Sequence, residues 1–336
     1  MSREESPFVR APTEGEGYNS IHRAFLQAFQ THSVLTMGQM KAILAHVMTA
    51  YNPERPWTEG DVTQPYITST IQTINAKIEA FDYEIRSTRD QRSQDSVYAL
   101  VNNASDAVTQ LATAFSANEI AYIRRILDHM FEANNTKLRE IMAIKHTEAS
   151  QLARLSRRNR QSQAASRQSQ VNGDIEDSQA SADTSISIAE ADLVLETLVK
   201  EAFFQKSTAG YYSLAPRGLM ELRAYLKETY NESADENEDG RRVIRIRDCE
   251  GCREIVTFGI RCSNRECSVR WHDACANNYY KGRKGNSKCP RCQTECSRDA
   301  FVGERAAWAG GRSSMGGVRR STQTRDDEED DDEGDD

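Results

Sequence analysis

The sequence predicts an α+β chain, mainly helical with small β hairpins, that ends in a compact cysteine-rich module. Three observations carry that reading. Apolar residues recur at helical spacing in several segments before residue 230. Short apolar runs broken by polar turns follow those helices at two places. Seven of the eight cysteines, with one histidine, then crowd into residues 249–292, and no cysteine precedes residue 249.

The elements follow in order. Residues 1–18 carry Pro7, Pro12, Gly15 and Gly17 with little apolar content and read as a disordered arm. Ile21, Ala24, Phe25, Ala28 and Phe29 form one stripe of a first helix. Thr36-x-x-Gln39 is a capping box, in which two side chains satisfy the free N–H groups of a helix start. Met40, Ile43, Leu44, Val47 and Met48 share one face of that second helix, and Pro53 and Pro56 end it. A third helix carries Ile67, Ile71, Ile74, Ile78 and Phe81. Strand-like runs at 81–87 and 96–101 flank a charged turn at 88–95. Three helices and then a hairpin is the element order of a winged-helix domain. Another capping box, Ser116-x-x-Glu119, starts a helix bearing Ile120, Ile123, Leu127, Met130 and Phe131, and 138–155 continues the helical reading. The first winged-helix domain with this helical extension thus spans 19–155.

Residues 156–185 are Ser, Gln, Arg and Asp with almost no apolar side chain, the composition of a disordered linker. A second unit, 186–232, opens at the capping box Ser187-x-x-Glu190, with Val194, Leu195, Leu198 and Val199 behind it. Phe203-Phe204, the turn Ala209-Gly210 and residues 211–214 make a short hairpin. Pro216 opens a helix with Leu219, Leu222, Leu226 and Tyr230, since Pro suits a first helical position. This is a second, smaller winged-helix-like unit. Residues 233–247 are a spacer, strand-like over 241–247; 248–297 hold the cysteine module; 298–336 read as a disordered tail.

The tail distorts the charge balance. Residues 326–336 contain ten carboxylates, and without them the formal net charge changes from −8 to +2. Such runs are usually solvated rather than folded. The sequence has no charged-then-apolar leader and no 18-residue apolar run, so no membrane association is expected. Clustered cysteines without a leader favour metal thiolates over disulfides. Asn103, Asn134 and Asn231 head chance matches to the glycosylation pattern. No Gly-rich phosphate loop, Ser/His/Asp arrangement or His-Glu-x-x-His run is present, and His22, His32, His46, His129 and His146 are scattered.

The cysteine module reads Cys249-x2-Cys252-x9-Cys262-x4-Cys267-x4-His272-x2-Cys275-x13-Cys289-x2-Cys292. Zinc takes four tetrahedral Cys or His ligands, so eight ligands imply two structural Zn2+ ions. Apolar side chains in this span are few, so metal supplies the folding energy. A set of four cysteines, one histidine and three cysteines occurs in RING-like and PHD-like modules, both of which interleave the pairs as a cross-brace. Cys249, Cys252, His272 and Cys275 would hold one ion, and Cys262, Cys267, Cys289 and Cys292 the other. Both sites would be closed, which leaves no metal position for hydrolytic chemistry. Ser287 stands where histone-tail readers carry an aromatic residue, and Cys289-Pro290-Arg291-Cys292 matches many ubiquitin-ligase RINGs. Against full RING behaviour, Glu250 and Gly251 replace an apolar contact and Gln293 replaces a basic residue. Cys296 reads as a free thiol outside the module, with substitution for Cys292 as the alternative. Trp271, Tyr279 and Tyr280 are core or partner-facing, and Lys281, Arg283, Lys284 and Lys288 line a basic loop.

The order of parts, two winged-helix units and then a variant RING, resembles the non-SMC element 1 family, the RING-like subunit of the SMC five/six chromosome complex. The matching stretches are Ile21-His22-Arg23-Ala24-Phe25-Leu26-Gln27-Ala28, residues 212–222 and the zinc run through Trp271-His272-Asp273-Ala274-Cys275. The resemblance implies a nuclear, chromosomal protein of DNA repair and recombination. It also implies a MAGE-like partner, a kleisin partner, DNA contact through the complex, and ubiquitin ligase activity that depends on the MAGE-like subunit. On that reading the chain recruits a ubiquitin-conjugating enzyme and has no covalent nucleophile of its own. A non-catalytic scaffold and a chromatin or DNA reader are the competing functions; the apolar third helix, with Lys77 as its one basic residue, speaks against the reader.

Overall fold

A computed structural model describes residues 17–103, 114–154, 185–232, 243–282 and 287–309. The first winged helix contains α1 (Ser20–Thr31), β1 (Leu35–Thr36), α2 (Met37–Tyr51), α3 (Gln64–Ile78), β2 (Tyr83–Arg89) and β3 (Ser96–Asn102). Asn19 caps α1 by accepting from the N–H groups of Ile21 and His22, and Thr36 caps α2 with Gln39 reaching back. The three strands are antiparallel in the order β1-β3-β2. Phe25, Phe29, Leu35, Met40, Leu44, Ile67, Ile74 and Ile85 form the core, as the helical stripes require. Asn75 pins α3 to the sheet edge: its Nδ2 donates to the Ile85 carbonyl at 3.0 Å and its Oδ1 accepts from the Ile85 N–H at 2.8 Å.

The second winged helix begins near residue 116 rather than at 186. It contains α4 (Ala117–Asp128), which runs into one π turn (His129–Ala133), then β4 (Ile144–Lys145), α5 (His146–Leu152), α6 (Ile188–Lys200), β5 (Phe204–Lys206) and β6 (Tyr211–Leu214). Strand order β4-β6-β5 repeats that of the first domain. Tyr122, Ile126 and Leu127 of α4 share one core with Val194, Leu195 and Leu198 of α6. The expected helical extension of the first domain is therefore the first half of the second. The polar stretch expected to link two domains lies inside one of them. A polar insertion and a polar linker have the same composition, so composition alone misplaces the boundary at 155 and 186. Nor is 138–155 a continuous helix: only His146–Leu152 is α-helical.

Pro216 does open a helix, but in two pieces, α7 (Pro216–Glu221) and α8 (Arg223–Tyr230), broken at Leu222. The helix α7 lies on the first domain's hairpin, where Met220 is buried with Ala99 and Val101. Of the expected strand over 241–247, residues 241 and 242 lie outside the described residues, and the rest forms β8 (Val243–Ile244), paired with β7 (Asn231–Glu232).

The last unit contains β9 (Gly259–Arg261), β10 (Arg270–Trp271), α9 (Asp273–Lys281), β11 (Phe301–Val302) and α10 (Arg305–Ala309), with strand order β10-β9-β11. Ordered structure thus continues past 298, contrary to the expected tail, because Val302 and Ala306 are buried and Phe301 pairs with Ile260. The arm at 1–16, the stretch 155–184 and the acidic run lie outside the described residues.

Polar latches fasten this unit to the winged helices, two of them centred on single side chains. Buried Glu140 receives Arg270 Nε at 2.7 Å and Arg261 Nη1 at 3.2 Å, with a second Arg270 bond alongside. Its main-chain carbonyl accepts the Gly303 N–H at 2.8 Å, tying β11 as well. The second latch comes from the first domain's wing, where Gln91 Nε2 donates to the Ile255 carbonyl at 2.8 Å. Gln91 Oε1 accepts from the N–H groups of Thr257 at 3.0 Å and Phe258 at 2.9 Å.

Candidate metal centre

Two knuckles of the same backbone design present the Cys-x2-Cys pairs. In the first, Cys249 N–H donates to the Glu254 carbonyl at 2.8 Å and Arg253 N–H to the Cys249 carbonyl at 3.0 Å, with Arg253 left-handed at φ 65°. In the second, Cys289 N–H donates to the Thr294 carbonyl at 2.9 Å and Gln293 N–H to the Cys289 carbonyl at 3.2 Å, with Gln293 at φ 58°. Each left-handed residue follows the second cysteine and turns the chain back so that both thiols face one point. His272 is the N-cap of α9 and Cys275 stands in its first turn, so helical spacing brings them to the same side. Cys262 follows β9, and Cys267 closes a short turn onto the Asn264 carbonyl at 3.1 Å.

The interleaving expected from the sequence is the one the fold makes. Cys249, Cys252, His272 and Cys275 come together, as do Cys262, Cys267, Cys289 and Cys292, with the donor atoms in each group within 4.8 Å of one another. Among the described residues these are the two such groups, and none of the other five histidines joins them. Two sulfurs on one tetrahedral zinc, each about 2.3 Å from it, stand about 3.8 Å apart. The Cys262–Cys292 and Cys267–Cys289 separations are 3.5 and 3.7 Å, and Cys252 Sγ lies 3.2 Å from His272 Nδ1. The residues therefore fit a zinc-sized ion.

Hydrogen bonding orients the histidine. His272 Nε2 lies 3.1 Å from the Ile255 carbonyl, which can only accept, so the proton sits on Nε2 and Nδ1 keeps its lone pair for a metal. That carbonyl is the one Gln91 also reaches. Burial pushes the thiols of Cys262, Cys267 and Cys275 up and the hydrogen bond to Cys249 pushes Cys252 up, while hydrogen bonds with Cys252 and with Thr294 hold Cys249 down to about 3 and Cys292 down to about 6. Each group thus mixes raised and lowered thiols, and a bound cation would deprotonate all of its sulfurs by its own charge.

Around the groups, Trp271 and Tyr280 are buried and Trp271 packs on Tyr279 at 4.7 Å between ring centroids, so this aromatic set belongs to the core. Gly259 has no room for a side chain, since a Cβ would stand 2.1 Å from the Trp271 carbonyl oxygen. Glu250 pairs with Arg291 at 2.7 Å, joining the two knuckles across the surface. Arg283 and Lys284 of the basic loop lie outside the described residues. Glu140, Gln91 and the left-handed Arg253 and Gln293 had no sequence signal, because their roles rest on contacts far along the chain or on backbone shape.

Comparison with known proteins agrees with this architecture. Residues 22–222 match the family model described as "Nse1 non-SMC component of SMC5-6 complex", and residues 249–292 match a RING-like domain. The chain is 22% identical over 277 residues to the human "Non-structural maintenance of chromosomes element 1 homolog", covering 81% of this chain and 82% of that protein. The rat protein of the same name is 22% identical over 313 residues, 91% and 94% of the two chains. A chain of a solved "Nse1-Nse3-Nse4 complex" superposes with a TM-score of 0.59 at 19% identity, covering 84% of this chain and 99% of that one. With its family-specific region matched over 22–222 and a RING-like module behind it, the chain belongs to the Nse1 family of non-SMC components of the SMC5-6 complex.

Proposed function

We propose that this chain is a RING-type E3 ubiquitin ligase subunit of an SMC5-6 complex, nuclear and chromosomal, acting in DNA repair and recombination. The carrying observation is the cross-braced pair of closed four-donor groups, built as a RING-like module and fastened to tandem winged helices. Cys249, Cys252, His272 and Cys275 hold one zinc ion, and Cys262, Cys267, Cys289 and Cys292 the other. Sulfur-rich tetrahedral donor sets favour zinc. The ions are structural: they fix the two knuckles, whose surface binds a charged conjugating enzyme and orients its thioester towards a lysine. The module itself contributes no nucleophile. A MAGE-like and a kleisin subunit are the partners, a reading supported by the solved complex that holds the similar chain with Nse3 and Nse4. DNA contact comes through the complex. The exposed faces of the third helices support that division: α3 offers Gln64, Thr68, Ser69 and Gln72 with Lys77 as its one exposed basic residue, and α6 offers Glu190, Leu193 and Glu196 with Lys200 at its end. Faces with so little positive charge attract phosphate weakly.

Two observations favour a second reading, a non-catalytic scaffold. The Glu250–Arg291 ion pair puts charge where conjugating enzymes meet apolar residues, and Gln293 is exposed where a basic residue steadies the thioester. Lysine discharge from a ubiquitin-loaded conjugating enzyme separates the two. The assay uses the chain purified with its MAGE-like partner, against a Cys289→Ser/Cys292→Ser control that still binds the partner. Partner-dependent discharge lost in the control is the expected result. No discharge across a broad enzyme panel, with zinc fully bound, leaves the scaffold.

A further inference from the structure

We propose that Cys296 is a reserve ligand of the second metal site, able to replace Cys292 on the ion; this rests on the two-zinc reading above. Cys296 is buried, at 6% exposure, although Glu295 and Ser297 on either side are exposed. Its Sγ stands 4.0 Å from Cys262 Sγ, close to the roughly 3.8 Å between sulfurs that share one zinc. It is thus a fifth thiol beside one member of a four-thiol group, outside the set whose donors all lie within 4.8 Å of one another, rather than an isolated cysteine.

The backbone holds it there. Lys288 bridges to Glu295, Cys289 N–H donates to the Thr294 carbonyl, and Cys296 N–H donates to the Ser287 carbonyl at 2.9 Å. The segment carrying Cys296 is therefore the return arm of the knuckle carrying Cys289 and Cys292, and one tight turn delivers three thiols. Cys296 Sγ otherwise faces the Thr294 carbonyl at 3.7 Å and the Tyr280 phenol, weak contacts that cost little to give up. Cys292 is the ligand most open to loss: it is partly exposed, whereas Cys262, Cys267 and Cys289 are buried. In the exchange the zinc–sulfur bond to Cys292 breaks and one to Cys296 forms. The Cys296 thiol proton passes to the departing Cys292 thiolate. The ion keeps four sulfurs and the same charge, and no oxidant or reductant is needed.

The test is zinc content per chain, by elemental analysis of the full-length protein after dialysis, combined with cadmium-113 NMR of the cadmium-substituted forms. Wild type is expected to hold two ions, and Cys267→Ser one. Cys292→Ser is expected to hold two, with the second-site cadmium resonance still in the four-sulfur range. Cys292→Ser/Cys296→Ser is expected to hold one. Loss of an ion or of soluble protein in Cys292→Ser overturns the proposal. So does a resonance moved to the three-sulfur, one-oxygen range, and so does a double variant that keeps both ions. A wild type with fewer than two ions overturns the two-zinc reading itself.

Discussion

Glu140 carries the strongest single-residue prediction. Burial alone would push its carboxyl up, but the Arg270 hydrogen bond and the charges of Arg270, Arg261 and Arg247 hold it below the usual carboxylate range. Its removal strands two buried guanidiniums, Arg261 at 8% and Arg270 at 1% exposure. Breaking a buried pair from one side costs about 3–5 kcal/mol, because the remaining charge stays desolvated. Glu140→Gln is expected to lose about that much in denaturant melts at pH 7. A carboxyl with a depressed folded pKa stabilises above its unfolded value, about 4.3, and loses that contribution as pH falls through the folded value. The advantage of wild type over Glu140→Gln should hold at pH 7 and shrink below about pH 4. A gap that stays constant into acid would mean that the carboxylate's charge is not what holds β9 and β10 in place.

At the scale of elements, the first domain's wing is the part most exposed to test, because its tip reaches the metal centre. Gln91 bonds three backbone groups of the 255–258 loop, and one of them, the Ile255 carbonyl, orients His272. Gln91→Ala is expected to cost about 1–3 kcal/mol, since it leaves buried backbone groups without partners. Losing a group that orients a metal ligand lowers metal affinity by about 10–100-fold, and Gln91 acts one step further out. Chelator competition should therefore show roughly tenfold or smaller weakening at the His272 site, with the four-cysteine site unchanged. Equal weakening at both sites would indicate general loosening instead. The same elements show what sequence can reveal. Three capping boxes, at Thr36, Ser116 and Ser187, mark real helix starts, because the signal is a local exchange of hydrogen bonds. The four knuckle cysteines of the two donor groups are legible for the same reason, since knuckle spacing is local. The two-residue strands β1 and β4 are not, because they exist only by pairing with Tyr98 and Tyr212, far along the chain. With β4 hidden, nothing in the sequence shows that α4 and α5 belong to the second winged helix.

Across the whole molecule, the distribution of apolar contact decides what metal removal does. The first winged helix has a core of its own. The second winged helix and the metal module share one, which includes Leu226, Tyr230 and Ile246 together with Ile255, Val256 and Trp271. Metal binding is folding free energy in a module this poor in apolar side chains. Stripping the ions should therefore release more than residues 249–292. Once the module loosens, Arg223 and Lys227 of α8 lose Glu254 and Asp248, and Glu140 loses both of its arginines. Hydrogen exchange after chelation is expected to show protection lost over β9, β10 and α9, reduced over α4 and α8, and retained over α1, α2 and α3. Loss confined to the metal module would mean that the second winged helix is stable without its neighbour, and that the shared core is an interface rather than a cooperative unit. Loss extending to α1 would instead make the Gln91 wing and the Met220 contact strong enough to couple all three units. The separate core of the first domain, joined to the rest chiefly by the α7 contact and polar bonds, argues against that outcome.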